Sequence, residues 1–193
     1  MKLTLAYSPC PNDTFIFDAM IHHKVDTEGL EFEVQLYDVE ALNVMAFDSK
    51  VDVTKLSYNA FLHLYKKYAL LSSGSALGEK CGPILIAKQD MIKSFNAQSL
   101  VAIPGKYTTA NSLFSLAFPN NTNTIEMLFS EIEDAVLKGD VDAGVIIHEN
   151  RFTFQEKGLE KFMDLGEYWE EQTQLPIPLG GIVVSKSLDS SVQ

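Results

Sequence analysis

The sequence predicts an α/β protein built as two lobes. Apolar stretches with strand character alternate with helical stretches along almost the whole chain, a pattern typical of α/β folds with largely parallel sheets. Two pairs of segments also resemble each other: residues 49–57 resemble 138–149, and residues 82–88 resemble 180–186. Two lobes joined by two crossings would produce such internal echoes, although strands that begin with glycine and a β-branched residue are also common by chance.

The first part of the chain is predicted to hold three strand–helix pairs. Phe32, Val34 and Leu36 alternate with polar residues and predict a half-buried strand. Asn12 or Asp13 is the candidate N-cap of the first helix. In chain order the predicted elements are a strand at 2–8, a helix at 13–24, a strand at 31–38, a helix at 39–50, a strand at 51–57 and a helix at 58–68.

The alternation continues through the second part of the chain. Thr108 or Thr109 is the candidate cap of the helix that follows a glycine-containing, hydroxyl-rich stretch. The predicted elements are strands at 82–88 and 99–105, a helix at 108–118, a strand at 122–129, a helix at 130–139, a strand at 141–147, short helices at 150–158 and 166–172, and a strand at 180–186.

The echoed strands set the predicted lobe boundaries. The first lobe comprises residues 1–85, completed by 185–193, and the second comprises residues 86–184. Ligands of open α/β sheets bind outside the carboxyl ends of strands, beside helix N-termini. We therefore expect a central cleft between the lobes, lined by polar residues that follow strands.

Composition and charge narrow the function classes. With a net charge of −11 and a pI near 4.7, the chain lacks the basic face that a nucleic-acid binder needs. A small anionic ligand stays compatible with this charge, because local donors override the global field. No segment approaches the length of a membrane span. We therefore expect no membrane as partner and, because of the negative charge, no nucleic acid either. Cys10 and Cys81 lack CxxC spacing, which favours free thiols in a reducing cytoplasm.

The loop after the first strand is unusually rich in special residues. Two prolines stiffen it, and polar side chains precede the helix. Capping the following helix would require one such residue, but this loop contains several. The candidate cleft-wall residues are Ser8, Pro9, Cys10, Pro11, Asn12 and Asp13.

Two further strand ends offer groups that suit an anion. Lys55 and Ser57 place an ammonium and a hydroxyl where a strand ends and a helix starts. An N-cap serine beside a solvated lysine explains the same residues equally well. The stretch 104–112 presents hydroxyls before a helix but lacks the GxxxxGK[ST] spacing of a phosphate-binding loop.

His148 is the strongest candidate for a catalytic residue. It ends an apolar strand, and imidazole titrates near neutral pH, which suits proton abstraction. A structural histidine with satisfied hydrogen bonds is the competing interpretation. The histidines and carboxylates show no metal-ligand spacing, so no metal site is predicted. Neither a GxSxG elbow nor a GxGxxG loop occurs.

Six stretches occur in an order and spacing that resemble one enzyme family. They are SPCPNDTFIF, KLSYNAF, SSGSALGEKCGPIL, GKYTTAN, GVIIHENRF and LPIPLGG. Together they resemble the 1,4-dihydroxy-6-naphthoate synthase family of the futalosine route to menaquinone. The resemblance implies a two-lobed fold like that of type II periplasmic binding proteins. It also implies a lyase that cleaves cyclic dehypoxanthinyl futalosine to 1,4-dihydroxy-6-naphthoate, with no metal or organic cofactor.

The resemblance also assigns residues. It places the family's proton acceptor on His148 and its substrate contacts on Lys55, Leu56, Ser57, Thr109 and Ala110. Family members continue beyond the second crossing, so we expect residues after position 193 to complete the first lobe.

Two other functions stay open on the sequence. One is the sister enzyme of the same pathway, a chorismate dehydratase. The other is a non-catalytic binding protein for small anions, because receptors of this architecture bind solutes and a fold does not settle function.

Overall fold

The computed structural model describes residues 1–189. The predicted last part of the first lobe, residues 190–193, lies outside the described residues. The chain divides into two compact units: Met1–Ala76 together with the segment from Leu179 onward, and Leu77–Pro178. The sequence placed the lobe boundaries at 85 and 184, which are nine and six residues further along. The cleft predicted from the sequence stays a prediction.

The elements alternate as an α/β fold requires, so the predicted fold class is confirmed. In the described residues they are β1 (Lys2–Tyr7), α1 (Pro11–Ile21), β2 (Glu31–Leu36), α2 (Val39–Phe47), β3 (Val53–Ser57), α3 (Tyr58–Leu64), β4 (Tyr68–Leu70), β5 (Ala76–Gly78), β6 (Ile84–Ala87), α4 (Gln89–Ile92), β7 (Val101–Ile103), α5 (Thr109–Ala117), β8 (Thr124–Glu126), α6 (Ile132–Lys138), β9 (Ala143–Ile146), β10 (Glu160–Asp164), α7 (Leu165–Thr173) and β11 (Ile177–Ser185). Two 3₁₀ helices, His148–Phe152 and Phe154–Lys157, stand where one short helix was predicted.

Each unit is built on one mixed sheet. The first sheet has the order β2-β1-β3-β11-β4, with β5 paired to β11, and the second has the order β10-β6-β9-β7-β8. β11 runs antiparallel to β3 and β4, and β6 runs antiparallel to β9 and β10. The prediction of largely parallel sheets is therefore wrong. The alternation of strands and helices does not reveal the direction of a strand that joins a sheet from a distant part of the sequence.

The two sheets share one strand scheme. In each sheet three neighbouring strands are parallel, and the third of them also pairs with an antiparallel strand. The three parallel strands are β2, β1 and β3 in the first sheet, where β3 pairs with antiparallel β11. They are β8, β7 and β9 in the second sheet, where β9 pairs with antiparallel β6. β3 therefore corresponds to β9, and β11 corresponds to β6. These are the segments that echo each other in the sequence, so the echoes reflect equivalent places in two similar sheets.

The edge strand β2 departs from its predicted burial. Phe32 is half-buried, but Val34 and Leu36 are 37% and 50% exposed. β2 pairs on one side only, with β1. The alternating pattern identifies the strand correctly but does not reveal that it lies at the sheet edge, where apolar side chains are less covered.

Each unit has its own apolar core. In the first unit Leu5, Phe17 and Val184 belong to one buried cluster, and Tyr68 is fully buried with its hydroxyl donating to Val51 O at 2.8 Å. In the second unit Gly144 lets β9 approach α6 closely, since a Cβ there would lie 2.4 Å from Ile132 Cγ2. Within residues 1–189 we find no helix with the length and apolar character to cross a bilayer.

Candidate active site

Strand pairing brings the candidate loops of the first unit to one sheet edge. β1 and β3 are parallel neighbours, with Ala6 opposite Thr54. Their carboxyl ends therefore point the same way, and the loop after β1 emerges beside Lys55 and Ser57. Sequence reasoning placed these residues at strand ends, and the sheet brings them together.

Asp13 links the two strand ends. Its carboxylate accepts a hydrogen bond from Ser8 N at 3.2 Å and forms an ion pair with Lys55 Nζ at 3.0 Å. The Asp13 side chain is 8% exposed and that of Lys55 is 12% exposed. Lys55 is therefore held in a largely buried ion pair, which excludes the interpretation as a solvated lysine.

Asp13 is not the helix cap that the sequence suggested, and neither is Asn12. α1 begins at Pro11, and its N-cap is Cys10, whose side chain makes no capping hydrogen bond. Proline suits the first helical position because it has no N–H to satisfy. The polar side chain at position 13 is thus available for Ser8 and Lys55 instead of for the helix.

The remaining predicted wall residues differ in exposure. Ser8 is buried, and its hydroxyl accepts a hydrogen bond from Cys10 N at 3.2 Å. Cys10 is half-buried, whereas Pro9, Pro11 and Asn12 are exposed. Ser8 and Asp13 therefore act as internal supports, and the other four residues form the accessible side of the loop.

Ser57 ends β3 and is 4% exposed. Its backbone N donates to Asn43 Oδ1 at 3.1 Å, and Asn43 Nδ2 donates to Ser57 Oγ at 3.3 Å. Asn43 is fully buried in α2. Leu56 beside Ser57 is 1% exposed and belongs to the core, so it can offer a ligand only its backbone.

The second unit repeats this arrangement. β7 and β9 are parallel neighbours, with Ala102 opposite Gly144. The N-terminus of α5 follows β7, and His148 follows β9, so both lie at the same edge of the sheet.

The start of α5 is well ordered by its own side chains. Thr108 is the N-cap, as one of the two predicted alternatives, and its hydroxyl accepts from Asn111 N at 3.2 Å. Thr109 Oγ1 donates to Pro178 O at 3.4 Å. Thr109 and Ala110 are the first residues of the helix and are 8% and 3% exposed. Backbone N–H groups at a helix N-terminus point along the helix axis and favour an anion.

His148 is a half-buried residue with unusual backbone geometry. Its φ is 58°, in the left-handed region that non-glycine residues seldom adopt. Its imidazole packs edge-on against Phe129, with ring centroids 5.2 Å apart. Strained backbone of this kind clusters at functional sites, where surrounding contacts hold it in place.

Two buried carboxylates anchor the turn that carries His148. Glu133 Oε2 accepts from Asn150 Nδ2 at 2.8 Å and from Lys157 Nζ at 2.6 Å. Arg151 donates to Gly82 O and pairs with Asp164, whose Oδ2 lies 2.9 Å from Arg151 Nη2. These contacts fix Asn150 and Arg151, which lie two and three residues after His148.

The hydrogen bond from Lys157 also has an electrostatic consequence. Glu133, which is 1% exposed, raises the pKa of Lys157 above its ordinary value by this hydrogen bond and by charge attraction. In the first unit, burial, followed by the charge of Asp13, raises the pKa of Tyr7. Among residues 1–189, no three histidine, cysteine or acidic side chains are grouped as metal ligands would be.

Sequence reasoning missed Asn43, Glu133 and Asp164. Asn43 carries the clearest signal, because it is an amide within the apolar helix VEALNVMAF. The other two are acidic residues with apolar neighbours, Ile132 before Glu133 and Met163 and Leu165 on either side of Asp164, and their burial follows only from the folded structure.

Comparison with known proteins identifies the family. Residues 3–193 match the family model for menaquinone biosynthesis. The chain is 42% identical over 186 residues to 1,4-dihydroxy-6-naphthoate synthase of Thermus thermophilus, and 42% identical over 191 residues to that of Streptomyces coelicolor. Each alignment covers 96% of this chain and 67% of the relative.

Solved structures support the same relationship. A protein of Archaeoglobus fulgidus superposes with a TM-score of 0.89 at 40% identity, over 99% of this chain and 70% of that one. The alkanesulfonate-binding protein of Xanthomonas axonopodis pv. citri superposes with a TM-score of 0.70 at 9% identity, over 96% of this chain and 66% of that one. The second likeness shows the fold alone, which is that of the type II periplasmic binding proteins, as predicted. From the matching family model and the two curated relatives, we conclude that the chain belongs to the 1,4-dihydroxy-6-naphthoate synthase family of menaquinone biosynthesis.

Proposed function

We propose that this protein is a carbon–carbon lyase that cleaves cyclic dehypoxanthinyl futalosine to 1,4-dihydroxy-6-naphthoate. Membership of the family supports the product. The observation that carries the proposal is His148, a half-buried imidazole held in a left-handed backbone conformation at the carboxyl end of β9. A residue placed with such constraint suits a general base, whose reach to the substrate must be fixed.

The proposed reaction begins with proton removal. Neutral His148 takes the proton from a hydroxyl of the substrate, and the oxygen electron pair forms a carbonyl as the neighbouring carbon–carbon bond breaks. The ring fragment takes up the electron pair of the broken bond, and its aromatisation to the naphthoate draws the reaction forward. The imidazolium then returns the proton. This is a fragmentation of retro-aldol type.

The carboxylate of the product requires hydrogen-bond donors despite the net charge of −11. We assign this role to the hydroxyl of Ser57, because the hydroxyl of Thr109 already donates its hydrogen to Pro178 O. Lys55 already has a carboxylate partner in Asp13, so its charge is largely offset. Directed hydrogen bonds therefore suit the anion better here than a free ammonium.

The turn around His148 supports its role. Asn150 and Arg151 are tied to Glu133 and Asp164, which limits movement of the turn when substrate binds. Preorganised groups cost little reorganisation during the reaction. The base therefore stays in place while it accepts and returns a proton.

The test is turnover of cyclic dehypoxanthinyl futalosine by the parent and by His148→Asn, followed by mass spectrometry. We expect the variant to turn over about 10²–10⁴-fold more slowly and to bind 1,4-dihydroxy-6-naphthoate nearly as well as the parent. The matched control is His22→Asn, because His22 is an exposed histidine at the end of α1. Near-normal turnover by His148→Asn would return His148 to a structural role, and turnover of chorismate-derived substrates instead would favour the sister enzyme.

The pH dependence provides a second check. Imidazole accepts a proton only when it is neutral, so the rate should fall on acidification through the pKa of the His148 imidazole. An acidic limb of the pH–rate profile that is the same in the parent and in His148→Asn would exclude His148 as the base.

A further inference from the structure

Asn43 stands out among the groups that the proposed reaction does not use. It is a fully buried amide in α2, directed at the end of β3. It contacts three polar groups: its Oδ1 accepts from Ser57 N at 3.1 Å, and its Nδ2 donates to Ser57 Oγ at 3.3 Å and to Glu40 Oε2 at 3.0 Å.

The orientation of this amide is fixed from both sides. A backbone N–H can only donate, so the atom of Asn43 that faces Ser57 N must be the oxygen. An ionised carboxylate can only accept, so the atom that faces Glu40 must be the nitrogen. The same nitrogen faces Ser57 Oγ.

This orientation determines what the Ser57 hydroxyl can do. A serine oxygen has one hydrogen to donate and two lone pairs to accept with. Because Asn43 Nδ2 supplies a donor, the Ser57 oxygen acts as acceptor toward α2. Its hydroxyl hydrogen is then left to point toward another acceptor, which is the polarity that a carboxylate ligand requires.

We propose that Asn43 is a positioning residue that holds the Ser57 hydroxyl as a hydrogen-bond donor for the carboxylate of the ligand. This inference rests on the proposed function, which assigns Ser57 to the substrate anion. Glu40 completes the arrangement, since its carboxylate keeps the amide from turning over. Asn43 does not touch the substrate and acts through Ser57.

The sharpest perturbation is Asn43→Asp, which keeps the shape of the side chain and reverses one hydrogen bond. One carboxylate oxygen can still accept from Ser57 N. The other now accepts the hydroxyl hydrogen of Ser57, so Ser57 no longer donates to a ligand.

The experiment measures the affinity of the full chain for 1,4-dihydroxy-6-naphthoate by calorimetry, for the parent, Ser57→Ala, Asn43→Asp and the double variant. We expect Ser57→Ala to weaken binding roughly 10- to 100-fold and Asn43→Asp to weaken it at least as much. The double variant should be little weaker than Asn43→Asp alone, because Asn43 acts through the hydroxyl that Ser57→Ala removes.

Two controls separate positioning from general damage. Asn121→Asp makes the same change at another buried amide, whose Nδ2 donates to Asn96 O and Ser99 O in the second unit. We expect it to lower the melting temperature but to leave the affinity within about twofold of the parent. Asn43→Ala adds no charge beside Glu40, and it serves in the same cycle with Ser57→Ala if Asn43→Asp does not fold.

The outcomes distinguish the role of Ser57 as a ligand contact from the role of Asn43 as its positioning residue. If Ser57→Ala binds as tightly as the parent, the assignment of Ser57 to the anion is wrong, and the role of Asn43 falls with it. If Ser57→Ala weakens binding but the Asn43 variants do not, the role of Asn43 is overturned and the assignment of Ser57 stands. If the fold-losses of affinity of the two single variants multiply in the double variant, the two residues act independently, and this result would also overturn the role of Asn43.

Discussion

Replacing Asp13 by asparagine should destabilise the first unit strongly. The change preserves the size of the side chain and an oxygen that can accept from Ser8 N. It removes the negative charge that faces Lys55 Nζ at 3.0 Å. The ammonium of Lys55 is then left with its side chain only 12% exposed and without its carboxylate partner.

The magnitude follows from the burial of the pair. Removing one partner of a buried ion pair costs about 3–5 kcal/mol, because the other charge stays desolvated. The remaining exposure of Lys55 gives water some access, so we expect a value near the lower end, about 3 kcal/mol. In a protein of this size each 1 kcal/mol corresponds to a melting-temperature shift of roughly 2–4 °C, so the expected loss is roughly 6–12 °C.

The assay is thermal unfolding by calorimetry of the parent, Asp13→Asn, Lys55→Met and the double variant. The double variant should recover much of the loss, because no charge is then stranded. A matched control is Glu33→Gln, which breaks the exposed pair between Glu33 and Lys2, whose side chains are 55% and 64% exposed. That change should cost less than about 1 kcal/mol.

Equal, small shifts for Asp13→Asn and Glu33→Gln would refute the reasoning. They would mean that water reaches Lys55 as freely as it reaches Lys2. A double variant that loses the sum of the two single effects would refute it as well, because no coupling would then exist between Asp13 and Lys55.

Two further predictions concern stability. Gly144→Ala should cost about 1–3 kcal/mol by overpacking, because the new methyl would lie 2.4 Å from Ile132 Cγ2, and an unchanged unfolding midpoint in urea would contradict this contact. Burial, reinforced by the charge of Asp52, raises the pKa of Tyr68 to about 12 from 10.0. Between these values the folded chain keeps a proton that the unfolded chain releases, so the free energy of unfolding should fall with rising pH, by up to about 1.4 kcal/mol per unit. Tyr68→Phe should remove that part of the pH dependence, and parallel curves for the parent and the variant would exclude it.

Local patterns predicted most of the elements and strand ends, but they did not predict β4, β5, α4 or β10. The cap at Thr108 and the position of His148 after an apolar strand follow from neighbouring residues alone. The echo between 49–57 and 138–149 also survives folding, because β3 and β9 occupy equivalent places. Each of these features is determined by residues that are neighbours in the sequence, so it can be predicted from the sequence alone.

Features that depend on distant residues were not predictable in this way. Lys55 and Asp13 are 42 positions apart, and nothing near either residue indicates that they pair. Asn43 and Ser57 meet only because α2 packs on β3. The exposure of Val34 and Leu36 likewise depends on the position of β2 in the sheet, which the alternation of side chains does not encode.

The position of β11 has a consequence for how the chain is made. Ser57 pairs with Gly180, and Val183 pairs with Leu70 on the other side, so β11 lies between β3 and β4. Residues 77–178 form a continuous segment that contains every strand of the second sheet. During synthesis from the N-terminus, that segment is complete before β11 has left the ribosome. β3 and β4 therefore lack the strand that joins them until residues 179–185 have been made, and pairing over such a sequence separation is expected to be slow.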